Sequence, residues 1–332
     1  MSSNKPRVDF SSVIIEKEKL ETIKAAISQL DHHELIFNEW GFGEIFEKGT
    51  AISLLFYGIP GTGKTLMAQA IADMMKMELA IISTADIETS EPGGAERAIR
   101  KHFQFARQKN EEYRERVKQY GKEYVDTQYS SSEYRPMILL FDECDSLLMD
   151  RNVIGVIMAA QVNALLTEIE NYEGVLIFTT NRLGKLDQAL ERRISAKVEF
   201  SFPEKEQREL IWRRMFPAKA PIAKDVKFTE LAEFPMAGGN IKNAVLNAAR
   251  LAAYKNYKNI TRACVIDAVE KELMALKEFL STKMDDISRE HKGMVRGRDG
   301  ISTGRTEAKN MDREQQMNME ITNYINKLKE AK

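Results

Sequence analysis

Residues 51–75, AISLLFYGIPGTGKTLMAQAIADMM, decide the fold of this chain. The run from Ala51 to Tyr57 is continuously apolar, as is typical of a strand that is buried on both faces. A glycine-rich turn follows it, and after the turn apolar residues recur with the 3.6-residue period of a helix. The stretch therefore predicts a buried strand, a tight loop and a helix in direct succession.

The loop, Gly58 to Thr65, matches the pattern G-x-x-x-x-G-K-[ST]. Its glycines allow backbone N–H groups to converge on phosphate oxygens, and the start of the following helix adds partial positive charge. We expect Lys64 to reach the β- and γ-phosphates of ATP, and the Thr65 hydroxyl to bind Mg²⁺. The other loop residues expected to contact the nucleotide are Gly58, Pro60, Gly61, Thr62 and Gly63.

Strands and helices alternate along the residues that flank this loop. Further apolar runs predict strands at 79–83, 137–141 and 174–179, and the sequence KVEFSF predicts a last strand at 197–202. Helical patterns lie between them at 95–109, 157–170 and 186–191. The alternation predicts an α/β fold, a P-loop NTPase parallel sheet flanked by helices on both faces.

After Pro203 only helical patterns follow, and they predict a small helical bundle. They lie at 204–215, 228–233, 240–257 and 261–280. From residue 281 the low apolar content predicts a linker, and a short amphipathic stripe then follows at Met317, Ile321, Tyr324, Ile325 and Leu328. The predicted organisation is an N-terminal arm (1–12), an α/β nucleotide-binding domain (13–202), a helical lid domain (203–280), and a flexible linker with a C-terminal amphipathic helix (281–332).

Two carboxylates follow the predicted strand Ile138 to Phe141. In open α/β sheets, ligands bind beyond the carboxyl ends of the strands, so Asp142 and Glu143 should emerge beside the phosphate-binding loop. Asp142 suits a role in holding Mg²⁺, and Glu143 suits polarising the attacking water. Together with the loop, these residues predict an enzyme that hydrolyses ATP with Mg²⁺.

Two further segments offer polar groups to the same reaction. Asn181 follows the predicted strand at 174–179 and can hold the attacking water or a γ-phosphate oxygen; a simple turn is the alternative. Arg192 and Arg193 suit the stabilisation of charge on a transferring phosphoryl group, including one bound to another subunit. Solvated surface charge is the alternative for this arginine pair.

Composition limits the classes of protein that remain. The 332 residues carry a formal net charge of -1, which does not indicate a whole-chain preference for a polyanion. The sequence shows no apolar leader and no run of about 18 apolar residues, so neither export nor a membrane is expected. Two cysteines, Cys144 and Cys264, cannot form a disulfide framework and favour a cytoplasmic protein.

Four ordered motifs resemble those of the AAA+ ATPases. They are GIPGTGKT at 58–65, ILLFDECDSLL at 138–148, FTTN at 178–181 and LDQALERRI at 186–194. The resemblance covers about residues 13–280 and is closest to the single-module AAA subgroup of katanin and spastin. The stretch IFNEWGFGEIFEKG at 36–49 also looks like bacterial and phage-associated members. This family implies a ring of identical subunits, usually a hexamer, with ATP between neighbours and hydrolysis coupled to lid motion.

The resemblance implies named roles for the predicted site residues. Lys64 and Thr65 match the Walker A pair, Asp142 and Glu143 match the Walker B pair, and Asn181 matches sensor 1. Arg192 and Arg193 match the double arginine that acts on the nucleotide of the next subunit. The sequence GGNIK at 238–242 puts Lys242 at the sensor 2 position, where the wider family often carries arginine. Lysine supplies charge without the bidentate geometry of arginine.

A departure from the family pattern bears on what the ring acts on. In relatives that thread polypeptides, an aromatic residue, a hydrophobic residue and a glycine line the pore, where this chain has Glu91, Pro92 and Gly93. The main hypothesis is an ATPase ring that remodels or assembles a protein client. A DNA-associated loader or initiator-like ATPase and a nucleotide-switched scaffold with little turnover stay open, although no base-reading motif supports nucleic acid.

One segment matches no motif of the family. Five tyrosines lie within residues 113–134, in an otherwise charged, serine-rich stretch. We expect an exposed helical hairpin whose tyrosines pack against one another, with a partner contact as the alternative.

Overall fold

A computed structural model describes residues 10–45, 50–87, 91, 93–128, 134–149, 156–181, 186–294, 315–316 and 318–326. These residues form two compact units. The first comprises the described residues up to Ile59 together with Gly63–Ser201, and the second comprises Pro60–Thr62 together with those from Phe202 onward. Most of the predicted N-terminal arm, Pro92, and residues 295–314 of the predicted linker lie outside the described residues.

The first unit is built on one parallel five-stranded sheet. Its strands are β1 (Ile52–Gly58), β2 (Glu78–Ile82), β3 (Met137–Phe141), β4 (Val175–Thr180) and β5 (Ala196–Phe200). Their order across the sheet is β2-β3-β4-β1-β5, and every neighbouring pair is parallel. The predicted α/β class is confirmed, and each strand overlaps the segment predicted for it.

Helices accompany the sheet in the first unit and form the second unit alone. Those of the first unit are α1 (Lys17–Asp31), α2 (Lys64–Met74), α3 (Thr84–Ile87), α4 (Gly94–Tyr120), α5 (Lys122–Gln128), α6 (Asp145–Leu148), α7 (Val156–Glu170) and α8 (Gln188–Glu191). Those of the second unit are α9 (Lys205–Met215), α10 (Phe228–Leu231), α11 (Gly238–Tyr254) and α12 (Arg262–Met294).

Both faces of the three central strands, β3, β4 and β1, are largely buried, as their continuous apolar sequences require. Successive side chains of a strand point to opposite faces. Accordingly, Leu139 of β3 belongs to the core cluster that contains Phe103 of α4, whereas Ile138 belongs to the cluster that contains Ile71 of α2. The sheet is thus held between two apolar layers, which leave the strand ends as the sites where polar groups emerge.

Two helices extend beyond the sequence-based expectation. Helix α4 continues to Tyr120 rather than ending at residue 109, and α12 continues to Met294 rather than ending at residue 280. The first part of the predicted linker, residues 281–294, is therefore helical. Low apolar content argues against a buried core, but a helix that has already formed extends at little cost through residues such as lysine, glutamate and arginine.

The tyrosine-rich segment forms a helical hairpin, as expected. Gly121, with a φ of 84°, separates α4 from α5. The Tyr113 hydroxyl donates to Asp126 Oδ1 over 2.8 Å, and the rings of Tyr120 and Tyr124 lie 5.7 Å apart. Local packing of these tyrosines is therefore present, while about half of the surface of Tyr120 and Tyr124 stays exposed.

The C-terminal stripe packs on the second unit of its own chain. Residues 318–326 are helical, and Ile321 and Ile325 are buried. The Tyr324 ring lies 5.8 Å from that of Phe234 in a T-shaped arrangement, and Asn318 Nδ2 donates to the Ser281 hydroxyl over 3.3 Å. Met317 and Leu328, the other members of the predicted stripe, fall outside the described residues.

Within the part of the chain that the structure describes, no helix combines the length and the apolar character needed to cross a bilayer.

We predict that the tail stripe stabilises the helical unit. Ile321→Ala should lower the free energy of unfolding by about 2–5 kcal/mol, because it leaves a cavity at a fully buried position. Met319→Ala is the matched control: its side chain is exposed on the same helix, and the change should stay within about 0.5 kcal/mol. Urea denaturation measures both, and equal effects of the two substitutions would show that the tail does not pack here in solution.

Candidate functional site

The glycine-rich loop joins the end of β1 to the start of α2. Gly58 ends β1 with a φ of 135°, and a Cβ there would lie only 2.3 Å from the carbonyl oxygen of Phe200 in β5. Gly63, which also has a positive φ, directly precedes the first residue of α2. The loop therefore ends at a helix N-terminus, where unpaired N–H groups and the helix dipole favour an anion.

The middle of the loop contacts the start of α11. The Gly61 carbonyl accepts a hydrogen bond from Gly239 N over 2.8 Å. A Cβ added to Gly239 would lie 3.0 Å from the Gly61 Cα, so the two backbones pass as closely as glycines allow. Pro60 and Thr62 flank this contact. Lys242 is exposed in the second turn of α11 and adds positive charge near the same helix start.

The Lys64 side chain is buried and folds back along the loop. Its Nζ donates to the carbonyl oxygens of Gly58 over 2.8 Å and Ile59 over 3.0 Å. An ammonium group is costly to bury unless acceptors surround it, so these carbonyls stabilise the charge inside the loop. The geometry fits a lysine that offers positive charge to a phosphate held by the same loop.

A hydroxyl and a carboxylate meet where β3 ends. Thr65 Oγ1 lies 3.0 and 3.1 Å from the two carboxylate oxygens of Asp142. Oxygen atoms of this kind suit Mg²⁺, which takes few protein ligands and completes its shell with phosphates and water. Among the described residues, no three His, Cys, Asp or Glu side chains form a cluster that could hold a metal ion. Thr65 and Asp142 are the residues that would hold the ion.

Glu143 follows Asp142 in an unusual backbone conformation. Its φ is 52°, in the left-handed region that non-glycine residues seldom adopt, and its side chain is exposed. Strain of this kind recurs at functional sites, where surrounding contacts keep it in place. An exposed carboxylate beside the Asp142 carboxylate is suited to accept a proton from water.

The strand order brings Asn181 between these groups. Asn181 directly follows β4, which lies between β3 and β1 in the sheet. Its backbone N–H donates to Asp145 Oδ1 over 3.0 Å. Since all strands are parallel, the phosphate-binding loop, the acidic pair after β3 and Asn181 lie at the same edge of the sheet.

Three polar residues of this edge were missed by the sequence reasoning. Thr179 donates to Asp142 Oδ1 over 2.6 Å, and the Thr180 hydroxyl forms a short hydrogen bond with Asp145. Both threonines are buried at the end of β4. Two successive hydroxyls closing an apolar strand were the available signal, since a buried hydroxyl needs a partner.

The two predicted arginines have different environments. Arg193 is partly buried, donates to the Ala189 carbonyl over 2.6 Å, and forms an ion pair with Glu170 at the end of α7. Arg192 is exposed and follows the last residue of α8. The structure therefore assigns Arg193 a contact within its own unit and leaves Arg192 at the surface.

The position predicted for a pore loop carries an exposed carboxylate. Glu91 pairs with Arg97 over 3.1 Å, and both side chains are largely exposed. Gly93, with a φ of 70°, directly precedes α4. The described residues at this position thus offer charge rather than an apolar surface.

Cys144, adjacent to Glu143, is part of the packing. It is 2% exposed, and burial raises the pKa of its thiol well above the usual range. A thiol that stays protonated is a poor nucleophile and a slow target of oxidation. This favours the interpretation of Cys144 as a small residue that fills space at the strand end.

Comparison with known proteins identifies the domain to which these residues belong. Residues 54–202 match the model of the ATPase family associated with various cellular activities (AAA). A putative 26S proteasome regulatory subunit homolog from Methanothermobacter thermautotrophicus is 29% identical over 231 residues, which cover 66% of this chain and 54% of that protein.

Two further relatives extend the comparison. A proteasome-associated ATPase from Mycobacterium sp. (strain KMS) is 26% identical over 306 residues, covering 84% of this chain and 44% of that protein. A cell division cycle protein 48 homolog from Archaeoglobus fulgidus is 30% identical over 235 residues, which cover 69% of this chain and 28% of that protein. The chain spans about half the length of the curated relatives it matches, or less. These relatives do not single out the katanin and spastin subgroup.

We predict that the contact between Gly61 and Gly239 limits which residues α11 can start with. Alanine generally stabilises a helix by up to about 1 kcal/mol relative to glycine. Gly238→Ala should show that gain, because its Cβ would meet nothing closer than 3.4 Å. Gly239→Ala should instead destabilise the protein, since its Cβ would lie only 3.0 Å from the Gly61 Cα and the loop backbone would have to shift. Chemical denaturation of the two variants tests this, and an equal gain in both would contradict it.

Proposed function

We infer that the chain belongs to the AAA+ ATPase superfamily, since residues 54–202 match the AAA family, and we propose that it hydrolyses Mg-ATP at the edge of the sheet where β1, β3 and β4 end. The observation that carries the proposal is the hydrogen bond from the Thr65 hydroxyl to the Asp142 carboxylate, with Glu143 beside it. A loop that only binds phosphate would need neither carboxylate. Glu143 and Asn181, at the same edge of the sheet, add the groups that hydrolysis requires.

Each residue of the site has a definite role in this proposal. The loop N–H groups and Lys64 bind phosphate oxygens, and Thr65 with Asp142 supplies oxygen ligands to the metal. Glu143 accepts a proton from the attacking water, and the Asn181 side chain orients that water. Mg²⁺, when bound, offsets the negative charge of the phosphates. Lys242 contributes positive charge from the start of α11.

We predict that Glu143→Gln separates nucleotide binding from hydrolysis. The substitution keeps the shape of the side chain but removes the proton acceptor, so turnover should fall by a factor of about 10² or more while ATP affinity is retained. Lys64→Ala should instead weaken ATP binding. Glu115→Gln, at an exposed glutamate of α4, is the matched control and should leave both unchanged. Steady-state turnover and calorimetric titration measure the two quantities, and full turnover by Glu143→Gln would refute the mechanism.

We propose further that the protein acts as a ring of identical subunits, a hexamer as the resemblance to the AAA+ family implies. The support within this chain is the contrast between the two arginines. Arg193 is engaged with Glu170, whereas Arg192 is exposed, as an arginine that acts on a neighbouring subunit must be. Arginine is suited to this role because its charge persists and its donors fit phosphate oxygens.

Mixing two inactive variants tests the role of Arg192. Subunits with Arg192→Ala lack the donated arginine, and subunits with Glu143→Gln lack the proton acceptor. In a mixed ring, some interfaces combine an intact Arg192 with an intact Glu143, so we expect turnover to reappear when the two are combined. Arg193→Ala should mainly lower stability through the loss of its contacts to Glu170 and Ala189. If turnover does not recover under conditions where the subunits co-assemble, Arg192 does not act on the nucleotide of a neighbouring subunit.

The partner we propose is a protein that the ring remodels or assembles. The relatives include a proteasome regulatory subunit homolog and a proteasome-associated ATPase, which supports a protein as the object of the ATP-driven step. The exposed Glu91–Arg97 pair argues against an apolar grip on a threaded chain. Glu143→Gln, loaded with Mg-ATP and recovered from the native host, should retain a specific protein that a nucleotide-free sample does not.

A nucleic-acid partner is the second candidate, and one feature favours it. Residues 234–266 of the helical unit contain five Lys and Arg residues and no Asp or Glu. Within this stretch Tyr254 is 84% exposed and Tyr257 is 49% exposed. An aromatic ring must be exposed in this way for a nucleic-acid base to stack on it. Nucleic acid in the Glu143→Gln complex, bound in a salt-dependent way, would move this candidate to first place.

A scaffold with little turnover is the third candidate, and Asp142, Glu143 and Asn181 at one edge argue against it.

We also propose a cytoplasmic location, because Cys144 and Cys264 are both buried and not joined in a disulfide.

A further inference from the structure

The hydroxyl of Thr179, at the end of β4, contacts both acidic residues of the proposed site. Its Oγ1 donates to Asp142 Oδ1 over 2.6 Å and accepts the backbone N–H of Glu143 over 2.8 Å. The side chain is fully buried. We propose that Thr179 is a positioning residue of this site, which sets the orientation of the Asp142 carboxylate and the backbone conformation of Glu143. The inference rests on the proposed hydrolysis of Mg-ATP.

Three successive residues of the loop after β3 bond to Thr179. Besides the contacts of Asp142 and Glu143, the backbone N–H of Cys144 donates to the Thr179 carbonyl over 3.1 Å. On the opposite side, the Asp142 N–H donates to the Ile82 carbonyl at the end of β2 over 3.0 Å. The acidic loop is therefore fixed by hydrogen bonds to both neighbouring strands, β2 and β4. Its hydrogen bonds to β4 are made with Thr179.

The Asp142 carboxylate lies between two hydroxyls. Thr65 reaches it from α2 and Thr179 reaches it from β4. A carboxylate with one donor can rotate about its terminal bond, whereas two donors at fixed positions define its plane. Groups that orient a metal ligand typically change metal affinity or activity by 10- to 100-fold when removed. Thr179 orients Asp142, the proposed Mg²⁺ ligand, in this way.

The contact to Glu143 acts on the backbone. A φ of 52° is unfavourable for glutamate, and the conformation persists only while surrounding contacts hold it. The hydrogen bond from the Glu143 N–H to Thr179 is one such contact. Without the hydroxyl, that N–H loses its acceptor and Glu143 is free to relax toward ordinary backbone angles. Its carboxylate would then leave the position from which it meets the attacking water.

Packing alone does not account for a threonine here. Valine has nearly the same shape, suits a buried strand and carries no polar atom to desolvate. The neighbouring apolar residues of β4, such as Ile177 and Phe178, satisfy the requirement for burial without a hydroxyl. The two hydrogen bonds of the Thr179 hydroxyl, rather than burial, therefore explain why this position carries threonine.

The test compares Thr179→Val with Thr179→Ser in the full chain. Calorimetry gives the affinity for a non-hydrolysable ATP analogue as a function of Mg²⁺ concentration, and steady-state kinetics gives turnover. For Thr179→Val we expect the Mg²⁺ requirement for nucleotide binding to rise about tenfold and turnover to fall 10- to 100-fold, with metal-free nucleotide affinity unchanged. Thr179→Ser retains the hydroxyl and should recover both quantities.

Ser53→Ala provides the matched control. Ser53 is a buried hydroxyl residue on β1 of the same sheet, and its side chain does not touch the acidic loop in the described contacts. Its substitution should leave the Mg²⁺ dependence unchanged. If Thr179→Val does not fold, the pair Thr179→Ala and Thr179→Ser, which differ by one hydroxyl, replaces it.

The possible results separate the two proposals. Thr179→Val with normal Mg²⁺ dependence and turnover, or a folded Thr179→Ser as impaired as the variant without the hydroxyl, overturns the positioning role. A wild-type protein that binds Mg-nucleotide but does not hydrolyse it overturns the proposed function instead. In that case the Mg²⁺ dependence of binding still decides the role of Thr179.

Discussion

The order of strands in the sheet is the constraint on which the site depends. Thr65 and Asp142 are 77 residues apart in sequence, and they meet only because β4 alone separates β3 from β1 and all three strands run in the same direction. Both faces of these strands are buried, so a register shift of one residue would turn a whole set of apolar side chains to the wrong face. The apolar core therefore fixes the positions of the catalytic carboxylates, although it contributes none of the chemistry.

Two buried polar side chains at this edge are held by hydrogen bonds within the protein. Lys64 and Thr179 are buried and each bonds to nearby backbone or side-chain atoms. A buried polar group without partners would destabilise the fold, whereas a satisfied network confines each member to one orientation. The unfavourable φ of Glu143 is tolerated in this setting, since the loop around it is bonded to both neighbouring strands. The same contacts thus serve stability and prearrange the site.

Sequence alone was sufficient where a local pattern carries the signal. The apolar runs gave all five strands, and the spacing of Gly58, Gly63 and Lys64 gave the loop, because both depend on neighbouring residues. It was insufficient for Thr179, because in a strand a threonine is equally explained by its β-branched shape. The contrast between Arg192 and Arg193 also escaped it, since only the fold brings Glu170 to one of the two. Charge and helix propensity likewise did not reveal the ends of α4 and α12.

The phosphate-binding loop contains residues of both units of the chain. Its ends, Gly58–Ile59 and Gly63–Lys64, belong to the sheet unit, whereas Pro60–Thr62 belong to the helical unit through the hydrogen bond between Gly61 and Gly239. Any movement of α11 relative to Gly61 must break that bond or carry the loop with it. The same bond lies only a few residues after Phe234, on which Tyr324 of the tail packs. Because a Cβ at Gly239 would lie 3.0 Å from the Gly61 Cα, a larger residue at this position of α11 would require the loop backbone to shift. The middle of the loop is therefore held by glycine backbone at the start of one helix, which is why the chain carries glycine at both positions of this contact.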